Sequence, residues 1–142
     1  MKKVIIIDDH AIMRKGLVTL VSEIEGFEVA AEGTTGKDLF PIISSISPDL
    51  IILDINMPEM NGIETLTELN KQGLQFNILM SSMLNEYIYI KQCLKLGARG
   101  FIFKDETNSE YIEAIKTVSQ GEPYLTQRTL KMYDSLLKND KS

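Results

Sequence analysis

Short apolar runs recur along the chain at a nearly fixed interval. They are Val4 to Ile7, a weaker Glu28 to Ala31, Leu50 to Leu53, Asn77 to Met80 and Gly100 to Phe103, with starts 24, 22, 27 and 23 residues apart. Runs this short, rich in β-branched residues and without polar alternation, predict strands buried on both faces, as in a parallel sheet. Between them, apolar residues fall at helical spacing. Ile12, Leu17, Leu20, Val21 and Ile24 form one stripe, and Tyr111, Ile112, Ile115 and Val118 another. Thr107 to Glu110 has the form of a capping box ahead of the second stripe. Gly26, Gly33, Pro48, Gly73, Gly97 and Gly121 lie in the connections. Pro41 interrupts the second helix and is expected to shorten or kink it.

The repeating unit is therefore strand plus helix, five times over. Parallel strands need crossovers, and right-handed crossovers put helices on both faces of one sheet. The expectation is one doubly wound α/β domain over residues 1–122, with a helical linker or tail over 123–142. In that tail, Leu130, Tyr133, Leu136 and Leu137 keep helical spacing before a polar end at Lys138 to Ser142. It is read as one more helix that adds no strand.

Composition narrows the function classes. A length of 142 residues suits one domain, and 44% hydrophobic with 25% charged residues is ordinary for a globular protein. A net charge of -5 makes the chain a poor candidate for gripping nucleic acid by itself. The one cysteine, Cys93, excludes an intramolecular disulfide and a multi-cysteine zinc site, and is expected as core or boundary packing. Val4 to Ile7 is too short for a secretory leader, and no run reaches membrane-spanning length, so a cytoplasmic home without membrane attachment is expected. The seven methionines are expected as core fillers.

The chemistry lies where the strands end. In an open parallel sheet, ligands bind outside the carboxyl ends of the strands. There stand Asp8 and Asp9 after the first strand, Asp54 after the third, Ser81 and Ser82 after the fourth, and Lys104 after the fifth. Each has a plain structural reading: Asp8 or Asp9 and Ser82 as helix caps, Asp54 as a turn residue, Lys104 as a solvated lysine. Together those readings are weak. Like charges within ~4–6 Å raise the pKa of at least one carboxylate, and a fold keeps such a cluster only with a compensating cation. Ligands that are all oxygen suit Mg2+, which wants octahedral oxygens at about 2.0–2.1 Å.

Asp8-Asp9-His10, Asp54-Ile-Asn-Met-Pro-Glu-Met-Asn-Gly62, Ser82 and Gly97-Ala-Arg-Gly-Phe-Ile-Phe-Lys104 together resemble the receiver domain of two-component response regulators, over about residues 3–121. Asp8-Asp9-His10, Lys104-Asp105 and Gly121-Glu-Pro-Tyr-Leu125 resemble its LuxR/NarL-type transcriptional branch. The resemblance implies a flavodoxin-like doubly wound five-stranded parallel sheet, strand order 2-1-3-4-5, with helices on both faces. It implies that Asp54 takes a phosphoryl group from a phosphohistidine of a sensor histidine kinase. Asp9, Asp54 and the backbone carbonyl of Asn56 would ligate Mg2+, with Asp8 acting through a water. Lys104 would pair with a phosphoryl oxygen, Ser82 would bond another, and Phe101 would change rotamer as Ser82 moves. The physics agrees, because phosphoryl transfer through a loose transition state needs positioning and charge neutralisation above all.

Several residues depart from the common family pattern. Met83 follows the switch serine where many relatives have a smaller residue, narrowing access. Asp105 follows Lys104 where proline is frequent, which leaves the isomer of that bond open. His10 is expected at the helix start or loosely at the rim of the site. Of Tyr87 and Tyr89, one is expected to be exposed and open to a partner. Rival readings are a haloacid-dehalogenase-like phosphatase, which wants an acid where Asn56 stands, a receiver that signals without phosphate, and a flavin mononucleotide binder, which wants a hydroxyl- and glycine-rich loop after strand one. The chain is not expected to be a turnover enzyme. It is expected to be the receiver part of a DNA-binding regulator that dimerises on phosphorylation and touches DNA only through an absent C-terminal domain. A stand-alone receiver or phosphorelay intermediate is the alternative. The tail supports no DNA grip: Arg128, Lys131, Lys138 and Lys141 against Asp134 and Asp140 leave a net of +2.

Overall fold

The structure, a computed structural model, describes residues 1–140. Lys141 of the basic tail therefore lies outside the described residues. The chain forms β1 (Lys2–Ile7), α1 (Ala11–Ser22), β2 (Phe27–Gly33), α2 (Gly36–Ile43), β3 (Leu50–Asp54), α3 (Gly62–Lys71), β4 (Ile78–Ser82), a 3-10 turn (Leu84–Tyr89), α4 (Ile90–Lys95), β5 (Gly100–Phe103), α5 (Asn108–Ser119), β6 (Tyr124–Leu125) and α6 (Gln127–Asp140). All strands are parallel, in the order β2-β1-β3-β4-β5-β6.

The alternation of strand side chains explains why the runs carry no polar positions. On one face Ile5, Ile7, Ile51 and Leu53 pack under α2, α3 and α4, with Met132, Tyr133 and Leu136 of α6 against the same cluster. On the other, Val4, Ile6, Leu50 and Ile52 pack under α1 and α5. Both faces are covered, so both sets must be apolar.

Three expectations need correction. The sheet has six strands, because Tyr124 and Leu125 pair with Gly100 and Phe101 of β5. Two residues carry no periodicity, so only tertiary contact reveals this strand. Ile12 does not join the α1 stripe: it is 89% exposed at the start of the helix, while Leu17, Leu20 and Val21 are buried. The stretch after β4 begins as a 3-10 turn. Tyr87 there is exposed, and Tyr89 packs against the core.

Other local choices follow the chain's chemistry. Pro41 sits inside α2, which is only eight residues long. Thr107 caps α5 by accepting from the Glu110 N–H at 3.2 Å. Cys93 is buried, and burial pushes its thiol up to about 12. No cis peptide occurs among the described residues, so the Lys104–Asp105 bond is trans. Helix α6 is tied to the loop after β5 by Arg128, which pairs with Asp105 and lies 5.0 Å over the Phe103 ring.

Candidate functional site

Strand register brings the polar residues to one level. Ile7 lies beside Leu53, Asp54 beside Ser81, and Ser82 beside Phe103. The residues that follow β1 and β5, Asp8 and Lys104, therefore flank Asp54 and Ser82 at the same sheet edge. The Lys104 N–H donates to the Ser82 carbonyl at 2.7 Å, which extends the β4–β5 ladder by one residue. Arg14 of α1 donates to the Asp8 carbonyl at 2.7 Å and pins the end of β1.

Asp8 and Asp54 are both only 1% exposed. Lys104 Nζ lies 3.2 Å from Asp54 Oδ1 and 3.0 Å from Asp8 Oδ2. The Ile55 N–H donates to Asp54 Oδ1 at 2.8 Å, and the His10 N–H donates to Asp8 Oδ1 at 2.8 Å. Asp54 Oδ2 and Asp8 Oδ2 are buried with no hydrogen-bond partner; the latter lies 3.0 Å from the Lys104 ammonium, which donates to Asp8 Oδ1 at 3.3 Å. Two buried carboxylates thus share one buried ammonium. Burial above all, and then the charge of Asp8, raises the Asp54 carboxyl to about 7 against the pull of Lys104.

A cation fits this arrangement. Ligand atoms of Asp8, Asp9, His10 and Asp54 lie within 4.8 Å of one another, and the buried Asp54 Oδ2 has no hydrogen-bond partner. Asp9 stands at the exposed rim. His10 is more central than a residue at a helix start need be. Its Nδ1 lies 3.3, 3.4 and 3.5 Å from carboxylate oxygens of Asp8, Asp9 and Asp54, and 3.0 Å from Lys104 Nζ. It leaves its N-cap position without a side-chain cap, which frees the ring to lie over the acids.

The remaining predicted residues are placed differently. Asn56, two residues past Asp54, is exposed and lines a groove with Asn61, Asn85 and Glu86. Phe101 is fully buried and meets Phe103 edge to face at 5.6 Å. Ser82 is fully buried, and its hydroxyl contacts Glu86 Oε1 and the Met83 carbonyl, each at 3.0 Å. Glu86 was not legible as a site residue, since it reads as one polar residue in a helical stretch.

The loop after β3 explains why Gly62 closes the motif. A Cβ at Gly62 would collide with the Asp54 carbonyl, because the start of α3 folds back onto the end of β3. The Gly62 N–H donates to Ile55 O at 2.7 Å, and Asn61 caps α3 in a box with Glu64. The glycine lets the acid's own backbone be clamped.

Comparison with known proteins decides the family. The family model described as response regulator receiver domain matches residues 4–116. The chain belongs to this family. The receiver is 33% identical to the transcriptional regulatory protein DegU of Brevibacillus brevis, over 97% of this chain and 60% of that protein. It is 35% identical to the nitrate/nitrite response regulator protein NarL of Escherichia coli K12, over 87% of this chain and 57% of that protein. The solved receiver domain of the putative response regulator NarL from Mycobacterium tuberculosis superposes with a TM-score of 0.78 at 30% identity, covering 85% of this chain and 98% of that one. Within the family, the receiver is of the LuxR/NarL type. It spans about three-fifths of the length of these curated relatives.

Proposed function

We propose that Asp54 accepts a phosphoryl group from the phosphohistidine of a sensor histidine kinase, and that the receiver then changes conformation to control an output. One observation carries the reading. A buried carboxylate at the end of β3 has an unpartnered oxygen, a lysine 3.2 Å from its other oxygen, and two more acids beside it. In the transfer, an Asp54 oxygen bonds to phosphorus as the P–N bond breaks, and the bonding pair leaves on the imidazole nitrogen. Lys104 offsets charge on the phosphoryl oxygens. Asp8 and Asp54 keep Lys104 in place, and the closed core beneath β3 limits water on that side.

The acids fit Mg2+, which Asp9, Asp54 and the Asn56 carbonyl would hold, with Asp8 acting through a water. When bound, Mg2+ supplies charge neutralisation for the phosphoryl oxygens. Ser82 and Phe101 are assigned to reading the phosphoryl group, and neither to accepting it. The receiver is proposed as a stoichiometric acceptor and not a turnover phosphatase, since Asn56 offers no acid two residues after the nucleophile. Self-association on phosphorylation is proposed through the apolar turn beside Ser82, where Leu84, Tyr87 and Ile88 are exposed. DNA recognition is proposed to lie outside these residues, whose net charge is -5. No helix of the described residues is long and apolar enough to cross a membrane, and a cytoplasmic location is proposed. Intact mass after incubation with acetyl phosphate and Mg2+ tests the reading. The chain gains one phosphoryl group, and no gain contradicts it.

A further inference from the structure

The end of β4 presents two hydrogen-bond donors, the Ser82 hydroxyl and the Met83 N–H. Both converge on one atom, Glu86 Oε1, at 3.0 and 2.8 Å. Glu86 is itself only 9% exposed and Ser82 is fully buried, so little water competes at this contact. The Glu86 N–H donates back to the Met83 carbonyl at 3.0 Å, which closes the first turn of the 3-10 segment. A carboxylate oxygen held by a hydroxyl and a backbone N–H is an anion bound in an anion receptor.

We propose that Glu86 is a positioning residue of the switch: it holds Ser82 and Met83 as an internal stand-in for the phosphoryl group and must let go before they can bind it. This rests on the receiver reading above. The Ser82 hydroxyl has one proton, shared between Glu86 Oε1 and the Met83 carbonyl, each at 3.0 Å, and cannot give it to a phosphoryl oxygen at the same time. An arriving phosphoryl group carries about -1.5 to -2 charge and three acceptor oxygens, so it competes for the same donors and repels the carboxylate. Glu86 lies on a 3-10 turn, whose hydrogen-bond geometry is poorer than an α-helix's and resists rearrangement less. The same turn carries the exposed side chains of Leu84, Tyr87 and Ile88. Release of Glu86 therefore resets the turn that presents them, and links occupancy at Asp54 to the shape of an outer surface.

Beryllium trifluoride with Mg2+, an analogue of the bound phosphoryl group, tests this on the whole chain, with the Met83 amide resonance as readout. While Glu86 holds the donors, the competent fraction is small and apparent affinity falls by that fraction. Glu86→Ala is expected to saturate at about tenfold lower analogue concentration than wild type, with Glu86→Gln between the two. In a Ser82→Ala background, Glu86→Ala is expected to add a smaller gain, because only the Met83 N–H remains to be freed. A folded Glu86→Ala with wild-type half-saturation overturns the proposal. So does an equal gain in the Ser82→Ala background, which marks a through-space charge effect. Should Glu86→Ala fail to fold, Glu86→Gln decides: tighter binding than wild type supports the proposal, and unchanged or weaker binding overturns it. A wild-type chain that binds no analogue, or binds it equally after Asp54→Asn, contradicts the receiver reading itself and takes this inference with it.

Discussion

Lys104 Nζ lies 3.2 Å from Asp54 Oδ1, although the two residues stand at the ends of different strands, with β4 between them. Among the described residues, Lys104 is the ammonium that pairs with the clustered acids, and its side chain is only 8% exposed. Lys104→Ala leaves Asp8 and Asp54 buried without it. In chelator, urea unfolding should show a loss of about 3–5 kcal/mol, the range for breaking a buried pair. Added Mg2+ should restore part of that loss, since it supplies the missing charge. Equal stability of variant and wild type in chelator would contradict this account of the site.

The pH dependence follows from Asp54, whose carboxyl is raised from an ordinary 3.8 to about 7 in the metal-free protein, first by burial and then by Asp8. Below 3.8 the group is protonated in folded and unfolded chains alike, and it costs nothing. As pH rises toward about 7, the unfolded chain gives up its proton while the folded chain keeps it. The folded state then binds more protons, so stability falls with rising pH, and the loss is complete above the folded value. Asp54→Asn removes this titration. The variant should exceed wild type by up to about 4 kcal/mol at alkaline pH in chelator and match it below 3.8. Denaturant melts across this range check the prediction, and a gap that does not widen with pH contradicts it.

Gly62→Ala should act on both fold and site. The added methyl group meets the Asp54 carbonyl, which cannot move without shifting β3. Overpacking of this kind costs about 1–3 kcal/mol. The variant should also bind Mg2+ more weakly, because the displaced strand end carries Asp54. Isothermal titration checks the second effect, which a loss of stability alone does not produce.

Much of the fold was legible because burial on both faces leaves a plain signal. Val4 to Ile7 and Leu50 to Leu53 have no polar position to spare, and the acids, serine and lysine that follow such runs must share one sheet edge. What stayed hidden was set by tertiary contact. Tyr124 and Leu125 become a strand only because β5 offers an open edge. Ile12 sits at helical spacing yet points outward, since the stripe becomes a core only where the sheet lies beneath it. His10 reads as a helix start, and its ring turns over the acids for want of a cap to make. Glu86 is invisible until the 3-10 turn carries it back to Ser82.

The central claim is that Asp54 is the phosphoacceptor, and intact mass spectrometry of wild type and Asp54→Asn tests it most directly. With acetyl phosphate and Mg2+, wild type should gain the mass of one phosphoryl group, and the variant should gain none while keeping its fold by circular dichroism. Equal labelling of Asp54→Asn would contradict the assignment.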